Sequence, residues 1–256
     1  MTPYPIQQSP DFTEILARAG ASAHQVLAGA NCVQVIDRGP VRYVSRPPAT
    51  ADLRALRGKR VTVINAGRDT NNIRASGYVR IMSGASIAVL DTSKPMRPAQ
   101  KWRNALTKSR HFKTRITHRP LHPTDDWLFK LDAAQQAAKS YRGLPHQISQ
   151  HWPQRYTVLS VAWHKKSPIA AMLHLIHGHA ATYQIGWSGR EGRRVNAHNL
   201  LLYDVAGKLR DIGVETLELG LVDTHNAPGL ARFKIGSGAK VIKLGGTWIA
   251  PPRWIS

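Results

Sequence analysis

Residues 187–213 read WSGREGRRVNAHNLLLYDVAGKLRDIG. A turn rich in glycine and arginine runs straight into an apolar-periodic stretch. Ala197, Leu200, Leu201, Val205, Leu209 and Ile212 recur at helical spacing, Asn196 stands at the N-cap position and Gly213 at the C′ position. Gly207 inside the helix costs about 1 kcal/mol relative to Ala, which points to a close approach by a neighbour. The start of a helix carries unpaired N–H groups and partial positive charge, so it attracts anions. Gly189 and Gly192 let backbone amides approach a ligand, and Arg190, Arg193 and Arg194 offer forked donors that match phosphate oxygens. The turn has the composition of a pyrophosphate site, and a solvated basic turn has the same composition. It is neither a P-loop nor the dinucleotide fingerprint, because the element before it reads as a hairpin strand rather than part of a βαβ unit.

Three strands precede it: YTVLSVAWH (156–164), IAAMLHLIH (169–177) and AATYQIGWS (180–188). Their short joins, KKSP and GH, predict antiparallel hairpins. Downstream come a strand, ETLELGLV (215–222), a short helix in APGLARFKIG (227–236) with Pro at an early helical position, and one or two strands in AKVIKLGGTWIA (239–250). Upstream, Thr124 opens a helix with Asp125 and Asp126 in its first turn. Trp127, Leu128, Leu131, Ala134, Ala138 and Tyr141 form its apolar stripe, and Gly143 and Pro145 end it. A shorter amphipathic segment reaches Trp152, and Pro153 breaks the chain. RPAQKWRNALTKSRHF (97–112) predicts a basic helix with Trp102, Ala105, Leu106 and Ser109 on one side, followed by a strand in KTRITH (113–118). The first third reads as short strands and turns: CVQVID, VRYVS, RVTVINA, GYVRIM and SIAVLDTS.

The 256 residues suffice for one large domain or two small ones, and 42% hydrophobic content supports a packed core. Lys and Arg number 36 against 15 Asp and Glu, a formal net charge of +21. That balance says nothing about fold but favours anionic partners: nucleic acid, phosphorylated cofactors or acidic lipid. Cys32 is the sole cysteine, so no intrachain disulfide forms, which suits a reducing cytoplasm. The start, MTPYPIQQSPDF, lacks the basic and apolar regions of a signal peptide, and no run of about 18 apolar residues spans a membrane. A cytoplasmic protein is expected.

From Phe112 onward, the order of elements and three stretches (GREGRRVNAHNLLLYDVAGKLRDIG, LELGLVD and APGLARFKIGSG) resemble the GNAT acyltransferase superfamily, specifically its Fem-like branch. The resemblance implies an α/β (α+β) GNAT fold with a mixed central sheet flanked by helices. It divides the chain into a reduced, degenerate GNAT-like half at 1–111 and an acyltransferase domain at 112–256. It implies a donor site from Ile185 to Asn196 and Ala197: Ile185, Gly186, Trp187, Gly189, Arg190, Gly192, Arg193, Arg194, Asn196 and Ala197. Gly186 and Trp187 would face Leu219 and Gly220 across splayed strands that admit the acyl arm. In RFKIGSG, Lys234 is carried over as a cation near the reacting groups. Many members place a proton-donating Tyr on the following helix; counted from Asn226, that position here is Phe233, which has no proton to give. The basic helix with Lys101, Arg103, Lys108 and Arg110, continued by Lys113, is similar to the link between the two halves of Fem-type proteins.

Three functions are open at this level. One is N-acyl transfer, with acetyl-CoA or another acyl-CoA as donor and a small amine or peptidoglycan-precursor-like acceptor. Another keeps the fold but takes aminoacyl-tRNA as donor, which the basic charge favours. The third is a non-catalytic binder of nucleic acid or acidic surfaces. Glu218, Asp223 and His225 are candidates for the proton acceptor. Helical spacing turns Lys234 away from Phe233 towards the cleft rim, where a cation would meet either charge developing on the acyl oxygen or a phosphate of the acceptor; the resemblance, which places this lysine near acceptor groups, favours acceptor binding. His174, His177 and His179 surround a hairpin turn, but strand alternation sets His174 and His177 on opposite faces, so no metal site is expected.

Overall fold

The computed structural model describes residues 4–141 and 143–253. The expectation about the amino-terminal start rests in part on residues 1–3, which lie outside the described residues. Two compact units divide the chain, one running up to Ile87 and resuming at Ile242, the other from Ala88 to Val241.

In the first, Pro10 at the first helical position starts α1 (Pro10–Arg18), which buries Phe12, Thr13 and Ile15. Then follow β1 (Ser22–Ala28), β2 (Asn31–Arg38), β3 (Val41–Ser45), β4 (Val61–Ala66), α2 (Asn71–Ala75) and β5 (Val79–Met82). The elements that follow are β6 (Ser86–Asp91), α3 (Gln100–His111), β7 (Arg115–Arg119), α4 (Asp126–Ala138) and α5 (His146–Gln150). After them come β8 (Thr157–His164), β9 (Ser167–His177), β10 (Ala180–Ser188), α6 (Arg190–Arg194) and α7 (Ala197–Asp211). The chain closes with β11 (Thr216–Leu221), α8 (Pro228–Gly236), β12 (Lys240–Lys243) and β13 (Gly246–Ala250).

The strands make two mixed sheets, in the orders β1-β2-β3-β4-β13-β5 and β12-β6-β11-β10-β9-β8-β7. Strands β7 to β10 pair antiparallel in sequence order, as the short joins predict. The β9–β10 connection is the two residues Gly178 and His179, and Gly178 adopts φ +65°, a conformation that L side chains resist. Strand β11 adds parallel to β10 after the α7 crossover.

The core of the second unit lies between this sheet and α7. Ala197, Leu201, Leu202, Val205, Ala206 and Leu209 form the buried stripe of α7. They join Val158 and Ala162 of β8, Ala170, Met172 and Ile176 of β9, and Trp102 and Leu106 of α3 in one cluster. Each such leucine contributes about 1.5–3 kcal/mol by leaving water. The predicted stripe holds at Ala197, Leu201, Val205 and Leu209 and gains Leu202 and Ala206, whereas Leu200 is half-buried and Ile212 lies exposed past the helix end.

Several boundaries differ from expectation. The division falls after Ile87, not at 111, because β6, buried from Ile87 to Leu90, is seated between β12 and β11. The last strand leaves the second unit: β13 inserts between β4 and β5, and its Trp248 and Ala250 join the core of the first. The helix expected from Thr124 begins at Asp126, behind a single 3-10 turn over Pro123–Asp125. Asp125 does more than favour the helix dipole: it accepts from the backbone N–H of His122 and pairs with Arg119 at 2.6 Å. Asn196 occupies the N-cap position of α7, yet it is left-handed (φ 54°) and makes no side-chain cap. Helix α1 escapes the sequence reading because its apolar stripe is only two turns long. Among the described residues no helix is long and apolar enough to cross a membrane.

His174 of β9 is completely buried beside the Tyr183 ring, with centroids 5.7 Å apart. Burial pulls its pKa down to about 3. The native state therefore holds it neutral while the unfolded chain protonates it near pH 6.5. This contribution to stability is complete above about 6.5 and is lost as pH falls towards 3. We expect His174 alone to cost about 2 kcal/mol of stability by pH 5. Urea titrations of wild type and His174→Leu from pH 7 to 5 check this: the variant should lose markedly less stability on acidification.

Candidate active site

Strands β10 and β11 begin as neighbours and then part. Their pairing covers Ala180–Thr216, Ala181–Leu217 and Thr182–Glu218, and goes no further. A bulge between Tyr183 and Ile185 shifts the register of β10 against β9 at this point. On β11, Gly220 turns to φ +78° just beyond the last pair. The expected splay thus begins ahead of Gly186, Trp187, Leu219 and Gly220.

Strands that part leave ladder carbonyls in need of donors, and each buried group left unmade costs about 1–3 kcal/mol. Four side chains donate to carbonyls of the parted segments. Gln135 Nε2 donates to Gly186 O at 3.0 Å, and His198 Nε2 to Trp187 O at 2.9 Å. Arg193 Nη1 donates to Ser188 O, and Lys234 Nζ to Leu221 O at 2.7 Å. A carbonyl only accepts, so His198 carries its hydrogen on Nε2. Burial holds the His198 pKa below its ordinary value and keeps the ring neutral.

Lys234 departs from its expected place. It is 5% exposed and folds back onto the end of β11 instead of lying along an open rim. Burial lowers its pKa to about 8, with the Glu218 charge acting in the opposite direction. Glu218 is buried too, at the last paired position of β11. A Cβ on Gly220 would stand 3.7 Å from the Lys234 nitrogen, so the smallest residue borders the ammonium. Phe233, at the position expected for a proton donor, packs between the rings of Trp102 and His198.

The GREGRR stretch folds into the short helix α6 instead of an open loop. Its glycines have a packing reason. The Gly189 N–H donates to Ile169 O at 3.0 Å, and a Cβ on Gly192 would meet that oxygen at 2.1 Å. Two of the three arginines, though exposed, bond to the protein itself: Arg193 to Ser188 O, and Arg194 to Glu191 at 3.0 Å with its guanidinium 5.3 Å from the Phe112 ring. Arg190 is exposed at the first position of α6. Ile185 and Ala197 are buried, and Trp187 stands edge-on to Trp127 with centroids 6.3 Å apart.

Asp223 is a turn-former. Its carboxylate accepts the His225 N–H at 2.9 Å, the Asn226 N–H at 2.8 Å and the Asn226 amide at 2.7 Å. The Asn226 bonds hold its pKa below the usual carboxylate range, which removes its value as a base near neutral pH. His225 is exposed on the same turn. His177 bonds Thr182 Oγ1 at 2.9 Å, and among the described residues no group of three or more His, Cys, Asp or Glu is placed to hold a metal. Sequence reasoning missed Gln135 and His198. Gln135 lies 51 residues from the carbonyl it serves, His198 reaches back 11 residues to Trp187 only once α6 has formed between them, and no motif marks either.

Residues 124–234 match the family described as acetyltransferase (GNAT) domain. That span contains all four carbonyl donors, from Gln135 to Lys234. Among solved structures, FemX is similar at TM-score 0.76 and 12% identity, over 96% of this chain and 92% of that one. The C-terminal domain (DUF2156) of a putative lysylphosphatidylglycerol synthetase from Agrobacterium fabrum gives 0.67 and 12%, over 95% and 88%. A tandem GNAT protein from the clavulanic acid biosynthesis pathway gives 0.56 and 14%, over 100% and 92%. No curated protein sequence matches the chain. Residues 124–234 thus match a GNAT acetyltransferase domain, and the fold is GNAT-like, similar to that of FemX.

Replacing His198 by Leu keeps a half-buried side chain but removes the donor to Trp187 O. We expect a loss of about 1–3 kcal/mol, largely restored in His198→Gln. Urea unfolding of both variants checks this; equal stability of His198→Leu and wild type would contradict the role given to His198.

Proposed function

We propose that this protein transfers an acyl group, acetyl in the simplest case, from an acyl-CoA to an amine acceptor. The acceptor is small or peptidoglycan-precursor-like, and the setting is the cytoplasm. The observation that carries this reading is the parting of β10 from β11 with a buried lysine ammonium at the end of β11. An extended acyl arm fits between strands that have stopped pairing. The exposed Arg190 and the first N–H groups of α6 suit the donor's phosphates.

As the amine lone pair attacks the acyl carbon, negative charge grows on the carbonyl oxygen. A preorganised cation in a dry site stabilises that charge more than it stabilises the bound substrate. Lys234 has the burial and position for this role. With a pKa of about 8 it is largely protonated at pH 7, so its contribution is present at neutral pH and is lost as pH rises through about 8. Burial changes the kinetic expectation for this residue from acceptor binding to transition-state stabilisation. Lys234→Met should lower kcat and kcat/KM together, by about a hundredfold, with acceptor KM kept. A raised acceptor KM with normal kcat would return Lys234 to acceptor binding.

A second reading, an aminoacyl-tRNA donor, draws on the exposed basic face of α3 with Lys101, Arg103, Lys108 and Arg110. The two are separated by ligand binding. CoA at a hundred times its Kd should stabilise an acyl-CoA enzyme by about 2.7 kcal/mol, seen as a raised Tm. Binding of tRNA with a steep salt dependence and no response to CoA would instead favour the second. Binding of nucleic acid without turnover of either donor would leave the non-catalytic reading.

A further inference from the structure

The reaction just proposed needs a group that removes a proton from the attacking amine. The carboxylate of Asp223 is taken up by its own turn, and Phe233 has no proton to exchange. A different set of polar side chains converges on Gly186, where the strands have parted. Gln135 Nε2, which donates to Gly186 O, also donates to Tyr141 Oη at 3.1 Å. The Tyr141 hydroxyl in turn donates to Asp132 Oδ1 through a long hydrogen bond of 3.5 Å. Asp132 is 4% exposed, and its other oxygen accepts from His146 Nε2 at 2.8 Å and Gln136 Nε2 at 2.6 Å. The His146 ring packs against Phe129, with centroids 5.2 Å apart, yet stays 24% exposed. A Cβ on Gly186 would lie 1.5 Å from the Tyr183 hydroxyl, so that phenol covers the same glycine.

A loop pin would need only part of this set. The Gly143 N–H donating to Gln136 Oε1 at 3.0 Å already ties the α4–α5 connection to α4. The tie does not call for a buried carboxylate–imidazole pair, nor for a half-exposed tyrosine linked through Gln135 to the parted strand.

We propose that Tyr141, backed by the Asp132–His146 pair, is the catalytic group that takes the proton from the acceptor amine. The inference rests on the acyltransferase reading above. The amine nitrogen forms the new bond to the acyl carbon, and the bond from that carbon to the leaving group breaks, its electron pair departing with the leaving group. The amine proton passes to Tyr141 Oη as the tyrosine's own proton passes to Asp132. The Asp132–His146 pair holds the extra proton until water reaches the exposed side of His146. Burial raises the pKa of Tyr141, so the phenol stays protonated and acts as a relay instead of resting as phenolate. The titratable groups that face it are Asp132 of α4, His146 of α5 and Tyr183 of β10.

The test compares wild type, Tyr141→Phe and His146→Gln in the full chain, with acetyl-CoA and a panel of primary amines. Thiol release is followed between pH 6 and 9, and Tm is recorded for each variant. Tyr141 is half-exposed, so Tyr141→Phe should keep the Tm of wild type. Its kcat should fall about a hundredfold at pH 7 with acceptor KM kept, and the deficit should shrink as pH rises and more amine is already deprotonated. The acid limb of the rate profile should move in His146→Gln. Wild-type turnover with a Tyr141→Phe profile matching it at every pH would overturn this proposal alone, as would a loss of rate that does not vary with pH. Absence of wild-type turnover would overturn the acyl-CoA reading and this proposal with it.

Discussion

A β-sheet that opens in its middle has to find new partners for its backbone, and this requirement governs the second unit. Where β10 leaves β11, the carbonyls of Gly186, Trp187, Ser188 and Leu221 receive hydrogen bonds from Gln135, His198, Arg193 and Lys234. These donors come from four different helices: α4, α7, α6 and α8. Each helix is therefore tied to the opening by a polar contact as well as by its apolar face. The order of elements along the chain follows from the same need, since the long crossover through α7 brings β11 in parallel and lets it diverge.

Energetics and chemistry meet at Lys234. Burying the Lys234 ammonium costs free energy that its bond to Leu221 O recovers only in part, and its lowered pKa reflects that cost. Glu218, buried on the adjacent strand, offsets part of it. The surface tells a different story. The net charge of +21 is carried on exposed faces such as that of α3, where it steers anions and adds little to stability.

Much of this fold was legible in the sequence, because the informative segments are long and periodic. The stripe from Ala197 to Leu209, the hairpin joins at 165–168 and 178–179, and Pro228 at the start of a helix each have one local reading. Elements decided by distant partners were not legible. β13 has the same alternating pattern wherever it goes, and only the core around Trp248 sends it to the first sheet. The site divides along the same line. The place of the opening came with the resemblance, which set Gly186 and Trp187 opposite Leu219 and Gly220, whereas the glycines of GREGRR were read as serving a ligand, and a Cβ on Gly192 would meet the Ile169 carbonyl. Arg193 and Arg194 were assigned to phosphate from their type and their place beside two glycines ahead of a helix, and from the resemblance. Their contacts with Ser188 O and Glu191 depend on the short helix α6, which five residues of glycine and charge do not announce.

The central claim is that the segments of β10 and β11 beyond Thr182 and Glu218 hold the acyl donor between them. Hydrogen–deuterium exchange with and without saturating acetyl-CoA tests it most directly. The account predicts slowed exchange confined to residues 185–197 and 219–222, with the β1–β5 segments unaffected. Exchange in those two segments that acetyl-CoA leaves unchanged, or protection located only elsewhere in the chain, would contradict it.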